Sequence, residues 1–163
     1  PAPRLDAIDR RLLAALQVDG RLTATELAER AGLTTSPCLR RLRRLEDTGV
    51  IRGYAALVDQ KMVGLPISVF VSIKLEKQRQ EELSRFEEAV RRCPEVVECY
   101  LMTGDSDYLI RVVVRDVQAL ERFIVDFLSR VPGVGNIQSS FALKQVKYST
   151  VLPLEPSKSG KGT

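Results

Sequence analysis

The chain has 163 residues, 44% of them hydrophobic, and a formal net charge of +4 at pH 7, which suits one large or two small globular domains and an anionic partner. Its apolar runs are shorter than the roughly 18–20 residues that span a membrane, and residues 1–4 lack the apolar stretch of a secretory signal, so a cytoplasmic protein is expected. The absence of histidine removes the usual catalytic base and the common zinc ligand sets, and we therefore expect neither an enzyme nor a metal or other cofactor.

Two short helices are predicted at the start of the chain. The first begins at the capping residue Asp6 and ends at residues 18–20. Its buried face follows the helical spacing i, i+3, i+7, i+8 and i+11, with Leu5, Ile8, Leu12, Leu13 and Leu16. The second helix begins at a capping box formed by Thr23 and Glu26, and Gly32 supplies its left-handed end.

The most informative segment is the basic helix that follows, whose N-cap is either Thr34 or Ser36. At 100° per residue, Cys38, Leu42 and Leu45 share one face. The opposite face is polar and basic, which suits the phosphates and base edges of the DNA major groove. Taken alone, such a run of charge is also typical of a solvated surface. The candidate DNA-binding residues are Thr34, Ser36, Arg40, Arg41, Arg43 and Arg44.

The basic helix is predicted to end near Thr48-Gly49. The apolar run over residues 50–58 then indicates a strand, in which Arg52 and Gly53 form a small wing. These elements together predict a helix-turn-helix over about residues 24–43, within a DNA-binding domain that ends in a linker near Pro66.

A different pattern begins after residue 66. The alternation in residues 67–75 predicts a strand, with Ile67, Val69, Val71 and Ile73 on one face and Phe70 on the other. Which of the two faces meets the helices stays open at this point. The later elements are a helix over 80–92, strands over 96–102 and 108–114, a helix over 117–131 and a strand over 136–146.

The order of these elements is βαββαβ, and its two halves resemble each other. Residues 92–96 end the first helix with a Cys-Pro step, and residues 130–134 end the second with a Val-Pro step. Such a duplication predicts a ferredoxin-like domain, with an antiparallel four-stranded sheet and both helices on one face. Because the other sheet face is then uncovered, a dimer formed through this domain is expected.

The turn between the second and third strands, Thr103 to Asp107, carries two carboxylates. By residue type alone it is a hairpin turn, since Gly, Asp and Ser are the standard turn residues. Turn amides can also hold a carboxylate, and an aspartate can accept hydrogen bonds from an ammonium group.

Several motifs together resemble the Lrp/AsnC, or feast/famine, family of transcriptional regulators. The match covers about residues 5–152, so that nearly all of the chain before the tail contributes. The segments that carry it are Leu5-Asp6-x-Ile8-Asp9-x-x-Leu12-Leu13, Ser36-Pro37-Cys38-Leu39-x-Arg41-Leu42-Arg43-Arg44-Leu45-Glu46, Gly49-x-Ile51-x-Gly53-Tyr54, Glu98-Cys99-x-Leu101-x-x-Gly104-Asp105-x-Asp107-Tyr108-Leu109 and Leu128-x-x-Val131-Pro132-Gly133-Val134.

The resemblance implies a winged helix-turn-helix that binds double-stranded DNA and a C-terminal domain that senses an amino acid, leucine or a similar one. It also implies dimers, which in this family often assemble into octamers, and an effector site between dimers near the Gly-Asp-x-Asp-Tyr turn. The resemblance gives Gly104, Asp105 and Asp107 as candidate effector-binding residues, and pairing and proximity add Tyr100, Thr103 and Ser140.

The predicted architecture is therefore α+β. Residues 1–66 form the winged helix-turn-helix domain, residues 67–152 form the βαββαβ domain for effector binding and oligomerisation, and residues 153–163 form a disordered tail. The main alternative is a DNA-organising protein of the same fold that responds to no effector. A ferredoxin-like enzyme and an RNA-binding protein are weaker alternatives, because histidine is absent and few aromatic side chains are available for stacking on bases.

Overall fold

The computed structural model describes residues 3–154, which form two compact units. The first unit contains the described residues up to Leu57 together with those from Lys147 onward, and the second contains Val58–Val146. Of the predicted tail, only residues 153 and 154 are described, and the rest lies outside the described residues.

Three helices form the first unit: α1 (Ala7–Val18), α2 (Ala24–Ala31) and α3 (Thr35–Asp47). The predicted caps of the first two are confirmed, since Asp6 and Asp9 form a capping box at α1, and Thr23 and Glu26 form another at α2. Thr34 occupies the N-cap position of α3, without a side-chain hydrogen bond to the helix. Gly32 adopts the left-handed conformation that ends α2.

The helices enclose a small core of apolar side chains, which confirms the predicted inner face of α3. Leu42 and Ile8 are partly buried beside it. The side chains at its centre are at most 2% exposed and comprise Leu12, Leu27, Ala28, Ala31 and Cys38.

The strand predicted over residues 50–58 is wrong, because these residues adopt no regular secondary structure in the described chain. A strand is stable only when its backbone amides and carbonyls pair with a neighbouring strand. The Ile51 amide donates to the Leu45 carbonyl, and beyond it residues 52–58 pair with no strand within residues 3–154. Tyr54 is held instead through its hydroxyl, which donates to the Glu46 carboxylate at 2.8 Å.

The second unit confirms the predicted βαββαβ order. Its elements are β1 (Ile67–Leu75), α4 (Gln80–Arg91), β2 (Val96–Leu101), β3 (Tyr108–Val114), α5 (Val117–Arg122) and β4 (Val134–Phe141). The strands form one antiparallel sheet in the order β2-β3-β1-β4, which is the ferredoxin-like arrangement.

The alternation of β1 decides which face of the sheet is buried. Val69, Val71 and Ile73 are fully buried with Phe86 of α4, whereas Phe70 lies on the opposite face and is 37% exposed. The same core continues through Tyr108, whose ring lies 4.5 Å from that of Phe86, centroid to centroid. The helices therefore cover one face, and the other face carries the remaining side chains of the strands.

Two predicted elements differ in detail from the structure. The predicted helix over 117–131 is α-helical only to Arg122, continues as one π-helical turn, Phe123–Phe127, and ends in a 3₁₀ turn, Leu128–Arg130. The predicted strand over 136–146 ends at Phe141. The reason is that its neighbour β1 begins at Ile67: the Ala142 amide still donates to the Ser68 carbonyl, and within residues 3–154 no strand lies beside the residues that follow. No helix in the described range is long and apolar enough to cross a membrane.

Candidate DNA-binding and effector sites

The four arginines of α3 differ in what their guanidinium groups contact. Arg41 donates from Nη1 to Asp6 Oδ2 at 2.6 Å and to Asp9 Oδ1 at 2.9 Å, and Arg44 donates from Nη2 to Asp9 Oδ2 at 2.5 Å. Within the part of the chain that the structure describes, Arg40 and Arg43 have no carboxylate within salt-bridge distance, and both are exposed. The helix therefore offers two free cations and two that are already paired with α1.

Asp9 is at the centre of this ion-pair cluster. Its side chain is 1% exposed, and each of its oxygens accepts from a different arginine. Its Oδ2 also accepts from the Asp6 backbone amide at 3.1 Å, so that the capping box and the ion pairs share one carboxylate. A buried carboxylate is stable only with partners of this kind.

Asp6 is the more exposed carboxylate of the cluster. Hydrogen bonds from the Asp9 backbone and from Arg41 lower the pKa of Asp6 to about 2. The Arg41 guanidinium, in turn, has a raised pKa because it donates to Asp6 and Asp9. The cluster combines two carboxylates with two guanidinium groups, so their formal charges cancel.

The remaining candidate residues on this helix are open to solvent. Thr34 and Ser36 are exposed at the beginning of α3, one at the N-cap and one in the first turn. Backbone amides at a helix N-terminus are unpaired and attract anions such as phosphate. The exposed end of α3 and its two free arginines thus form a continuous surface that suits a polyanion.

The two carboxylates of the Thr103–Asp107 turn have different surroundings, one buried and one exposed. Asp107 is 7% exposed and accepts from the Leu75 backbone amide at 2.7 Å and from Gln78 Nε2 at 2.5 Å. It therefore fastens the turn to the end of β1. Asp105 is exposed and lines a cavity of about 330 Å³ on the uncovered side of the sheet.

The cavity beside Asp105 is lined by polar side chains from three elements. Besides Asp105, the lining residues are Ser72, Lys74, Ser106, Asn136 and Gln138. Strand register explains how they meet, since Ser72 pairs with Gln138 and Lys74 with Asn136 across β1 and β4. An ammonium group and a carboxylate therefore lie in one small polar cavity.

The other candidate effector residues are distributed more widely. Thr103 and Gly104 are exposed in the same turn, and Gly104 has a φ of 113°, a conformation that favours glycine. Tyr100 lies on the edge strand β2, where its hydroxyl donates to Glu98 at 3.2 Å. Ser140 on β4 pairs with Phe70 of β1, whereas the turn lies beside Ile73, three residues further along β1. The structure thus brings Thr103 to Asp107 together and leaves Tyr100 and Ser140 on opposite edge strands.

The sequence prediction missed most of the cavity-lining side chains. The polar positions of β1 gave one available signal, since Ser72 and Lys74 alternate with buried apolar residues. Asn136 and Gln138 were not identifiable, because only the register between β1 and β4 places them beside Ser72 and Lys74.

Two family models match the chain, one over each part. Residues 5–52 match a winged helix-turn-helix DNA-binding domain, and residues 68–152 match the Lrp/AsnC ligand-binding domain. The fold and these matches define a DNA-binding transcriptional regulator with an amino-acid-binding domain, and regulators of this class are not enzymes.

Known relatives and solved structures are similar to this chain over nearly its whole length. The Bkd operon transcriptional regulator of Pseudomonas aeruginosa is 47% identical over 92% of this chain and 98% of its own length. The leucine-responsive regulatory protein of Escherichia coli is 39% identical, over 95% of this chain and 94% of its own. A Neisseria meningitidis transcriptional regulator, solved as a complex with L-methionine, is 42% identical, with a TM-score of 0.88 over 92% of this chain and 97% of that one. The chain belongs to the Lrp/AsnC family of transcriptional regulators.

Proposed function

We propose that this regulator contacts DNA through α3 and that a free amino acid bound near the Thr103–Asp107 turn controls it. The observation that carries the proposal for the effector is the cavity in which Lys74 and Asp105 lie together. A free amino acid carries one ammonium and one carboxylate group, so Asp105 suits the first and Lys74 the second. Thr103, Gly104 and Ser106 provide further polar groups of the same turn.

On DNA, the proposed contacts are those side chains of α3 that are free in the structure. Arg40 and Arg43 can reach phosphates or base edges, and Thr34 and Ser36 can contact phosphates near the helix N-terminus. Two such helices in a dimer would read a near-palindromic site whose half-sites lie about one helical turn apart.

The proposed assembly is a homodimer formed through the second unit, with octamers built from four dimers. Support comes from exposed apolar side chains in this unit, which a partner subunit would cover. Val58 is 64% exposed, Leu143 is 98% exposed and Val146 is 88% exposed, and Phe70 stands on the uncovered sheet face. Sedimentation of Phe70→Glu should show dissociation, whereas the control Val117→Glu, at an exposed apolar position on α5, should leave the assembly intact.

The experiment that tests the effector proposal is the thermal stability of the protein against twenty free amino acids, one at a time. A ligand at a hundred times its dissociation constant stabilises the protein by about 2.7 kcal/mol, which is a readable shift. L-Methionine and L-leucine are of first interest, because the Neisseria meningitidis regulator was solved with the first and the Escherichia coli relative is called leucine-responsive.

Matched variants then place the ligand. Lys74→Ala and Asp105→Ala should abolish the shift with the amino acid that produces it, and Lys77→Ala, an exposed lysine outside the cavity, should retain it. If no amino acid shifts the stability while the protein still binds duplex DNA, the effector proposal fails and a DNA organiser without an effector becomes the better interpretation.

A further inference from the structure

The contacts of α3 with α1 point to a role for acidic residues in DNA recognition. Asp6, the N-cap of α1, and Asp9 in its first turn stand three residues apart, as Arg41 and Arg44 do on α3. Positions three apart lie on one face of a helix, so the two carboxylates of α1 and its cap can face the two guanidinium groups of α3. The ion-pair cluster described above, Asp6, Asp9, Arg41 and Arg44, is called the acid clamp from here on.

We propose that the acid clamp withholds Arg41 and Arg44 from the DNA backbone, so that Asp9 acts as a positioning residue that limits sequence-independent binding. The inference depends on α3 being the DNA-contacting helix, as proposed above.

The geometry of Asp9 supports this role. Its side chain is 1% exposed, and both of its oxygens are occupied by guanidinium groups. For Arg44 to leave and meet a phosphate, Asp9 Oδ2 would lose its charged partner in a buried setting, which is unfavourable. Arg41 is held still more firmly, because it contacts both carboxylates and is only 25% exposed.

The consequence for DNA binding concerns charge. Sequence-independent affinity comes from phosphate contacts, and each contact contributes about 0.9 to the slope of log K against log salt. If all four arginines met phosphates, nonspecific DNA would be bound tightly and specificity would be low. Pairing two of them internally leaves the contacts of Arg40 and Arg43, while the helix keeps a fixed orientation on α1.

The test is the salt dependence of binding to a duplex of random sequence, with the full-length chain. Arg40→Gln and Arg43→Gln should each flatten the slope by about 0.9 for every α3 engaged. Arg44→Gln, one residue from Arg43, should leave the slope unchanged. Asp9→Asn should steepen the slope and strengthen binding at low salt, because Arg41 and Arg44 are released to meet phosphates.

Each outcome decides between roles. If Arg44→Gln flattens the slope of log K against log salt as much as Arg43→Gln does, the proposed role of the acid clamp is wrong. A folded Asp9→Asn that binds more weakly with an unchanged slope also overturns it, since that is the result of a merely structural role. Where Asp9→Asn does not fold, Asp6→Asn releases Arg41 from its exposed partner, and the comparison of Arg43 with Arg44 still decides. If neither Arg40→Gln nor Arg43→Gln changes the slope, the proposed DNA contacts of α3 fail instead.

Discussion

The basic helix and the effector turn, although unrelated in structure, divide their charged residues in the same way. In α3, Arg40 and Arg43 face solvent while Arg41 and Arg44 are paired with α1. In the turn, Asp105 faces a cavity while Asp107 binds the end of β1. In both regions, neighbouring residues of the same charge have opposite tasks: one set holds the fold together and the other is available to a ligand.

A run of charged residues is therefore not a binding site as a whole. The members with internal partners make short contacts to a carboxylate or an amide, although the Arg44 side chain itself remains 50% exposed, and their loss should reduce stability. The outward-facing members have few or no contacts, and their loss should reduce binding while stability is retained. Substitutions at three positions test this division between stabilising and ligand-binding charges, and they are given in order of decreasing effect on stability.

The largest effect is expected at Asp9. Asp9→Ala should lower the free energy of unfolding by about 3–5 kcal/mol, because it removes the buried partner of two arginines and part of the capping box. Urea unfolding followed by circular dichroism measures the change. The exposed Asp47 at the end of α3 provides the control, since Asp47→Ala should change stability by less than about 0.5 kcal/mol. Equal effects of the two substitutions would remove the distinction.

A smaller effect is expected at Asp107. Asp107→Ala leaves the buried Leu75 amide without an acceptor, which should cost about 1–3 kcal/mol of stability. The free energy of unfolding of this variant is measured by chemical denaturation together with that of the control Asp105→Ala, which should be nearly as stable as the parent protein. An Asp107→Ala protein of full stability that no longer responds to the amino acid would instead place Asp107 in the effector site.

The smallest effect is a pH dependence from Asp6. In the folded protein its pKa is lowered to about 2, whereas the ordinary value of 3.8 applies when the chain is unfolded. The unfolded state therefore binds the proton first, and the stabilisation by Asp6 is complete above about pH 4 and lost as the pH falls to about 2. Because Asp6 is half exposed, the contribution is modest.

Asp6→Asn tests this pH dependence. The difference in unfolding free energy between the parent protein and the variant should shrink steadily as the pH falls from about 4 to about 2. A constant difference over that range would show that the ion pair of Asp6 with Arg41 does not depend on the charge of Asp6.

Local features of the sequence predicted most of the fold. The cap at Asp6, the capping box at Thr23, the left-handed Gly32 and the alternation of residues 67–75 are all set by neighbours within a few positions. Such features are encoded along the chain, because helix spacing and strand alternation need no distant partner. The predicted strands failed at residues 50–58 and beyond Phe141, where pairing required a neighbour that the sequence pattern does not reveal.

Apart from those two strand segments, patterns along the chain are enough to predict the elements, the family and the charged segments from which the candidate sites are built. Which of those charges remain free depends on contacts between distant parts of the chain. Arg44 meets Asp9 across 35 positions of sequence, and Asp107 meets Leu75 across 32. Contacts over such distances depend on how α1 packs on α3 and how β3 aligns with β1. The same packing removes water from Asp9 and Asp107, which gives them internal partners and leaves Arg40, Arg43 and Asp105 exposed.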